Sequence, residues 1–289
     1  MNLIIETDIG HDPDDFFALC YLHSAGVNIK AILVCPGDPD QIAIARFFCK
    51  EVGLDIPIGA SKLDRTKLSS GSIHHYLLDK YGYSKEAKPD GLGVDILRQV
   101  HTADDDQLFI IGPVSSVGAY LKRYPSASFG RSTMQGGFLP YSAHEHECVK
   151  DEKFVGKAWV PTFNMNGDRP GALAFINGVR ITDRQFVGKN VCHTVLYGIQ
   201  QLESMATPKD RAGELFIEGM VNYLEHHDVK KFHDPTAACC HLHPEIGTWV
   251  RGKPCKMESG WSTEVRDDGD NVLAAIDYDK LWENICNWR

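Results

Sequence analysis

Apolar and polar blocks alternate along the first half of the chain. Asn2–Thr7 is a short apolar run ending in polar and acidic residues, the pattern of a strand buried on both faces whose carboxyl end meets a polar loop. Asp12-Pro13-Asp14-Asp15 then opens an amphipathic segment to about His23, with proline and its flanking acids as the helix start. Residues 29–34 read as a second buried strand. Asp38-Pro39-Asp40-Gln41 opens a second helix to about Val52, and 56–59 reads as a third strand. After a polar loop over 61–90, the alternation resumes with a helix at 94–102, a strand at 107–111 that stops at Gly112-Pro113, a helix to about Lys122 and a strand running into Gln135-Gly136-Gly137. Residues 138–161 read as an irregular excursion and 208–243 as helical. Strands are predicted within 249–265 and 272–278, and a terminal helix over 279–288. This β-α-β-α order predicts an α/β fold, a mostly parallel open sheet flanked by helices. No repeat or composition break marks a linker, so residues 1–289 are expected to form a single domain.

Composition narrows the function classes. With 39 acidic against 30 basic residues the formal charge is −9, a surface that repels phosphate backbones and anionic lipid; nucleic acid and membrane are not expected partners. No apolar run approaches the roughly 20 residues of a membrane span, and Leu3-Ile4-Ile5 is too short for a signal-peptide core. The 9 cysteines include no CxxC pair, and several lie in apolar stretches where a reduced thiol packs as a small hydrophobe. A reducing, cytoplasmic location is the expectation.

Ligands of open parallel sheets bind beyond the carboxyl ends of the strands. The first such end carries Glu6, Asp8, Asp12, Asp14 and Asp15, carboxylates that repel one another unless a cation or solvent compensates. For Asp12 a solvated helix start is the simpler reading; for Asp8 with Asp14 and Asp15 a hard divalent cation is the stronger one. A second cluster, His233-Asp234-Pro235, offers another acid and a neighbouring proton donor. Alone, it reads equally as a helix cap. At Ile111-Gly112-Pro113 a strand ends in a turn that frees backbone carbonyls.

Together these segments resemble the inosine–uridine-type nucleoside hydrolases, metal-dependent N-ribohydrolases whose opening strand leads into Asp-x-Asp-Pro-Gly-x-Asp-Asp and an apolar helix. Glu6-Thr7-Asp8-Ile9-Gly10 matches the first half of that signature, and Asp14-Asp15-Phe16-Phe17-Ala18-Leu19 the second, with two extra residues between them. Ile111-Gly112-Pro113, Gln135-Gly136-Gly137, Phe163-Asn164, His233-Asp234-Pro235 and the terminal Asp277–Trp282 stretch follow in family order. The resemblance implies a small-molecule nucleoside as substrate, a homodimer or homotetramer, and a bound calcium ion in preference to magnesium. It implies Asp8, Asp15, Asp234 and the Ile111 carbonyl as metal ligands, with Asp8 also taking a proton from the attacking water. Asp14 and Asn164 would bind ribose hydroxyls, and His233 would assist the leaving base, a role suited to a side chain with an ordinary pKa near ~6.5. Asp38, His74 and His75 are further candidate substrate contacts. Their simpler readings are a capping box with Gln41 for Asp38 and surface histidines for the pair.

Departures from the family pattern bear on substrate. Thr162 stands where the family places a glutamate two residues before the ribose asparagine, and the usual Gly-Asn after the Gly-Gly turn is missing. Residues 140–160, with His144-Glu145-His146-Glu147-Cys148, fill the gap as either a solvated loop or a lid that selects a substrate altered at the 5′ side. Lost ribose contacts leave open a catalytically altered nucleoside-binding protein that retains its metal. Phosphoryl transfer is the weakest reading, since no Gly-rich phosphate loop is present.

Overall fold

The computed structural model describes residues 1–178 and 180–289. Its frame is one ten-stranded sheet. In chain order the strands are β1 (Asn2–Thr7), β2 (Asn28–Val34), β3 (Ile58–Ala60), β4 (Gly91–Leu92), β5 (Gln107–Ile110), β6 (Phe129–Gln135), β7 (Ile181–Val187), β8 (Leu196–Tyr197), β9 (Lys230–Lys231), β10 (Gly247–Lys256), β11 (Trp261–Val265) and β12 (Asp270–Ile276). The spatial order is β11-β10-β12-β7-β6-β5-β1-β2-β3-β4, while β8 and β9 pair apart as a short ribbon. Every pairing from β12 through to β4 is parallel. Only β10, antiparallel to both β11 and β12, departs from that direction.

β1 lies inside the sheet, paired to β5 on one side and β2 on the other, which is why its sequence is a continuous apolar run. Leu3 and Ile5 enter one core, shared with the helices Asp14–Ser24, Pro39–Glu51, Arg211–Leu224 and His233–Leu242. Ile4 enters the opposite core, under Gly93–Val100, Ser116–Arg123 and Arg169–Ile176. Glu6 follows the same alternation. It points to the second core, where its carboxylate accepts the backbone N–H groups of Ser116 (2.5 Å) and Val117 (3.2 Å) and caps that helix. Burial pushes Glu6 up to about 8 despite these bonds, and it stands apart from the other N-terminal acids.

Three elements depart from the sequence expectations. The loop predicted over 61–90 contains the helix Ile73–Lys80, seated on Ile73, Leu77 and Leu78. The span 208–243 is two helices, Arg211–Leu224 and His233–Leu242, separated by β9. β7 went unpredicted because only its last four residues are buried and its middle is charged, Asp183 and Arg184 pairing laterally with Arg131 and Asp270. No helix among the described residues is long and apolar enough to cross a membrane.

Candidate active site

Four neighbouring parallel strands, β1, β5, β6 and β7, end side by side. Asp8, Ile111, Gln135 and Lys189 sit at or just past those ends, and all four line one cavity of about 690 Å³, within the range of small-molecule sites. Gly112 permits the close approach of two of these ends, since a β-carbon there would stand 2.5 Å from the Asp8 nitrogen. The loop after β1 is further held by Gln41, whose Nε2 donates to the Asp8 carbonyl at 3.0 Å.

Two helix starts complete the wall. Asp14 and Asp15 open the helix after β1, and His233 and Asp234 open the helix that packs against it. The Asp14 carboxylate accepts the backbone N–H of His233 at 3.2 Å and of Asp234 at 3.4 Å. One helix thus supplies the cap of the other, as a negative charge at a helix N-terminus should, and the two acidic segments are joined. Asp15 accepts from the Thr7 hydroxyl at 2.5 Å, and the Thr7 oxygen accepts from Ile9 N–H at 3.0 Å.

The result is a concentration of negative charge out of water. Carboxylate oxygens of Asp14, Asp15 and Asp234 lie within 4.8 Å of one another, and all three residues are buried. Burial, then the neighbouring acids, raises Asp15 and Asp234 well above the usual carboxylate range. The same causes push Asp8 up to about 8. Lys230 answers part of this charge. It is 4% exposed, with Nζ 2.7 Å from the half-exposed Asp12 and 3.5 Å from Asp14. Burial alone would lower its pKa, but Asp14 and Asp12 raise it further, so it stays charged. Asp8, Asp15 and Asp234 have no cationic side chain paired with them among the described residues. A donor set made of oxygens, with unanswered negative charge, fits a hard divalent cation.

Around the acids, Asn164 Nδ2 faces the carbonyls of Ile111 and Gln135 at 3.0 Å each and Gln135 Oε1 at 2.8 Å. His233 Nδ1 lies 3.5 Å from Asp14, its ring packs against His193 with centroids 4.9 Å apart, and its Nε2 has no hydrogen-bond partner. Burial and then Lys230 push His233 down to about 3, so its resting ring is neutral.

Seven of the residues marked in the sequence line this cavity: Asp8, Asp14, Asp15, Ile111, Asn164, His233 and Asp234. Asp38, His74 and His75 do not. Asp38 caps its helix and pairs with Arg65. His74 is fully buried against Phe16 with Nδ1 at the Gly71 carbonyl, and His75 faces Asp40 at 3.5 Å. No residue of 140–160 lines the cavity either. That segment folds onto a small apolar cluster of Phe138, Tyr141, Phe154 and Val160, and Phe154 packs edge-on against His193 at 4.8 Å. Through Phe154 it supports the wall at His193. Wall residues that the sequence left unmarked include Lys189, His193, Tyr223 and His227. Lys230 was unmarked too, although it stands three residues before His233.

The family described as inosine-uridine preferring nucleoside hydrolase matches residues 3–283 of the chain. By sequence, no curated protein matches. Among solved structures, the chain is similar to a plant nucleoside hydrolase at 18% identity and a TM-score of 0.74, covering 99% of this chain and 97% of that one. An inosine-uridine preferring nucleoside hydrolase from Bacillus anthracis aligns at 16% identity and TM-score 0.71, over 98% and 97% of the two chains. A purine-preferring ribonucleoside hydrolase from Gardnerella vaginalis aligns at 16% and 0.70, over 100% and 98%.

Proposed function

The chain belongs to the inosine-uridine preferring nucleoside hydrolases, a glycosidase family, and from that membership we propose that it cleaves the N-glycosidic bond of a ribonucleoside with one divalent cation, calcium, held by Asp8, Asp15, Asp234 and the Ile111 carbonyl. The observation that carries this reading is the cluster of buried carboxylates of Asp14, Asp15 and Asp234 within 4.8 Å of one another, on a cavity that Asp8 and Ile111 also line. Calcium accepts six to eight oxygens in flexible geometry, which suits donors from a strand end, two helix starts and a carbonyl. When bound it supplies Lewis-acid polarisation of water.

The remaining chemistry falls to the side chains. Asp8, at the strand end facing the cavity, takes a proton from the attacking water. Asp14 and Asn164 orient the ribose through its hydroxyls, and the surrounding carboxylates favour the positive charge that develops on the sugar. His233 is neutral at rest, so it donates an N–H hydrogen bond to the departing base rather than acting as a preformed imidazolium.

The test is release of free ribose from a panel of inosine, uridine, adenosine, guanosine and cytidine, in chelator and in calcium. Calcium-dependent release, abolished by Asp8→Ala and by Asp234→Ala, is the expected result. Tight nucleoside binding without release would establish the binding-protein alternative, which the neutral Thr162 favours.

A further inference from the structure

Within an acidic chain, one stretch of the cavity wall is basic. Lys189, placed by the end of β7, lines the cavity with its Nζ donating to the Pro161 carbonyl at 2.9 Å. It has no carboxylate partner among the described residues. Next to Pro161, Thr162 also lines the cavity; the residue is 2% exposed and its buried hydroxyl has no hydrogen-bond partner. His193, one helical turn beyond Lys189, lines the same wall. Its Nδ1 faces Asp151 at 3.6 Å, and Lys231 shares that carboxylate at 3.9 Å. Lys189 is therefore the cation left over.

A partly buried ammonium held by one carbonyl, beside an unsatisfied buried hydroxyl, is costly unless a ligand supplies the missing acceptor. Burial, then Lys153, already lowers the Lys189 pKa, so an arriving anion would stabilise its charge. Phosphate suits the pair, since an ammonium binds it as a point charge and a hydroxyl donates to a second oxygen. The attachment point follows from the proposed function, on which this step rests. There the base occupies C1′ and the acids engage the 2′ and 3′ hydroxyls, which leaves the 5′ oxygen. We propose that the preferred substrate is an N-riboside bearing a 5′-phosphate, its phosphoryl group held by Lys189 and the Thr162 hydroxyl.

Calorimetry on the full-length protein with ribose 5-phosphate, ribose and inorganic phosphate tests this directly, beside kcat/KM for a nucleoside and its 5′-monophosphate. Ribose 5-phosphate should bind about tenfold or more tightly than ribose. Lys189→Met and Thr162→Glu should each erase that advantage, and Lys189→Arg should keep it. Equal binding of the two sugars would overturn the proposal. So would an advantage that survives Lys189→Met, because the phosphate would then be held by something other than Lys189. If the advantage follows Lys189 but no riboside is hydrolysed, the phosphate site stands and the hydrolase reading falls. If nucleosides are hydrolysed without the advantage, the hydrolase reading stands and the phosphate site falls.

Discussion

Replacing Lys230 with methionine removes the cation inside the acidic site while keeping most of the packing of its stem. The cost follows from its two partners. Asp14 is buried, and leaving a buried charge without its counter-ion costs about 3 kcal/mol or more. Asp12 is half exposed, so its pair with Lys230 is screened and contributes less than ~1 kcal/mol. The sum of about 3–4 kcal/mol corresponds to a fall of about 6–8 °C in Tm, at roughly 2 °C per kcal/mol for a chain of this size. Melting followed by circular dichroism in chelator should show that fall for Lys230→Met and less than ~2 °C for Asp12→Asn. Saturating calcium should narrow the gap, because a site one charge more negative binds the ion more tightly; a tenfold gain in affinity returns about 1.4 kcal/mol. A Lys230→Met variant that melts with the wild type in chelator would refute the idea that this lysine neutralises the acids. A gap indifferent to calcium would show that lysine and ion do not share one field.

Three further outcomes are expected. His233→Ala should slow inosine far more than p-nitrophenyl riboside, whose leaving group needs no hydrogen bond; equal losses in kcat/KM would reduce His233 to a pocket-shaping role. Phe154→Ala should cost about 3 kcal/mol by opening a hole among Phe138, Tyr141 and Val160. Because Phe154 supports His193, limited proteolysis should then cut within 140–160 while the rest of the chain stays protected. His241 is fully buried, and burial and Arg131 push it down to about 3, with Nδ1 on the Thr133 hydroxyl at 2.8 Å. The unfolded chain therefore binds the extra proton between pH ~6.5 and ~3, and stability is lost as pH falls through that window by up to ~1.4 kcal/mol per unit. Urea midpoints at pH 7 and pH 5 should differ less in His241→Gln than in the wild type.

What the sequence displayed, and what it hid, follows from distance along the chain. β1, β2 and β5 announce themselves because strands covered on both faces must be apolar throughout. β7 hides because its charged middle is satisfied by Arg131 and Asp270, partners 52 and 86 residues away. The acids were legible as a class, since like charges crowded at a strand end demand compensation. Lys230 was not legible: its meaning depends on Asp12 and Asp14, and nothing in Lys230-Lys231 says which of the two lysines turns inward. The histidines misled for a related reason. A polar loop composition suggested exposure at His74, whereas Ile73, Leu77 and Leu78 draw the helix into the core and take His74 with them.

The cap that Asp14 places on the helix at His233 spans 219 residues of chain. Contacts of such separation are slow to form, because a large loop must close before any of them is rewarded. A growing chain that has released its first strand carries Asp8, Asp14 and Asp15 long before Asp234 has been synthesised. The proposed cation site would then be an event of late folding, inaccessible to partial chains that hold only the amino-terminal half. Calcium should accordingly protect the completed protein against unfolding while leaving early intermediates untouched, so that the ion slows unfolding far more than it speeds folding.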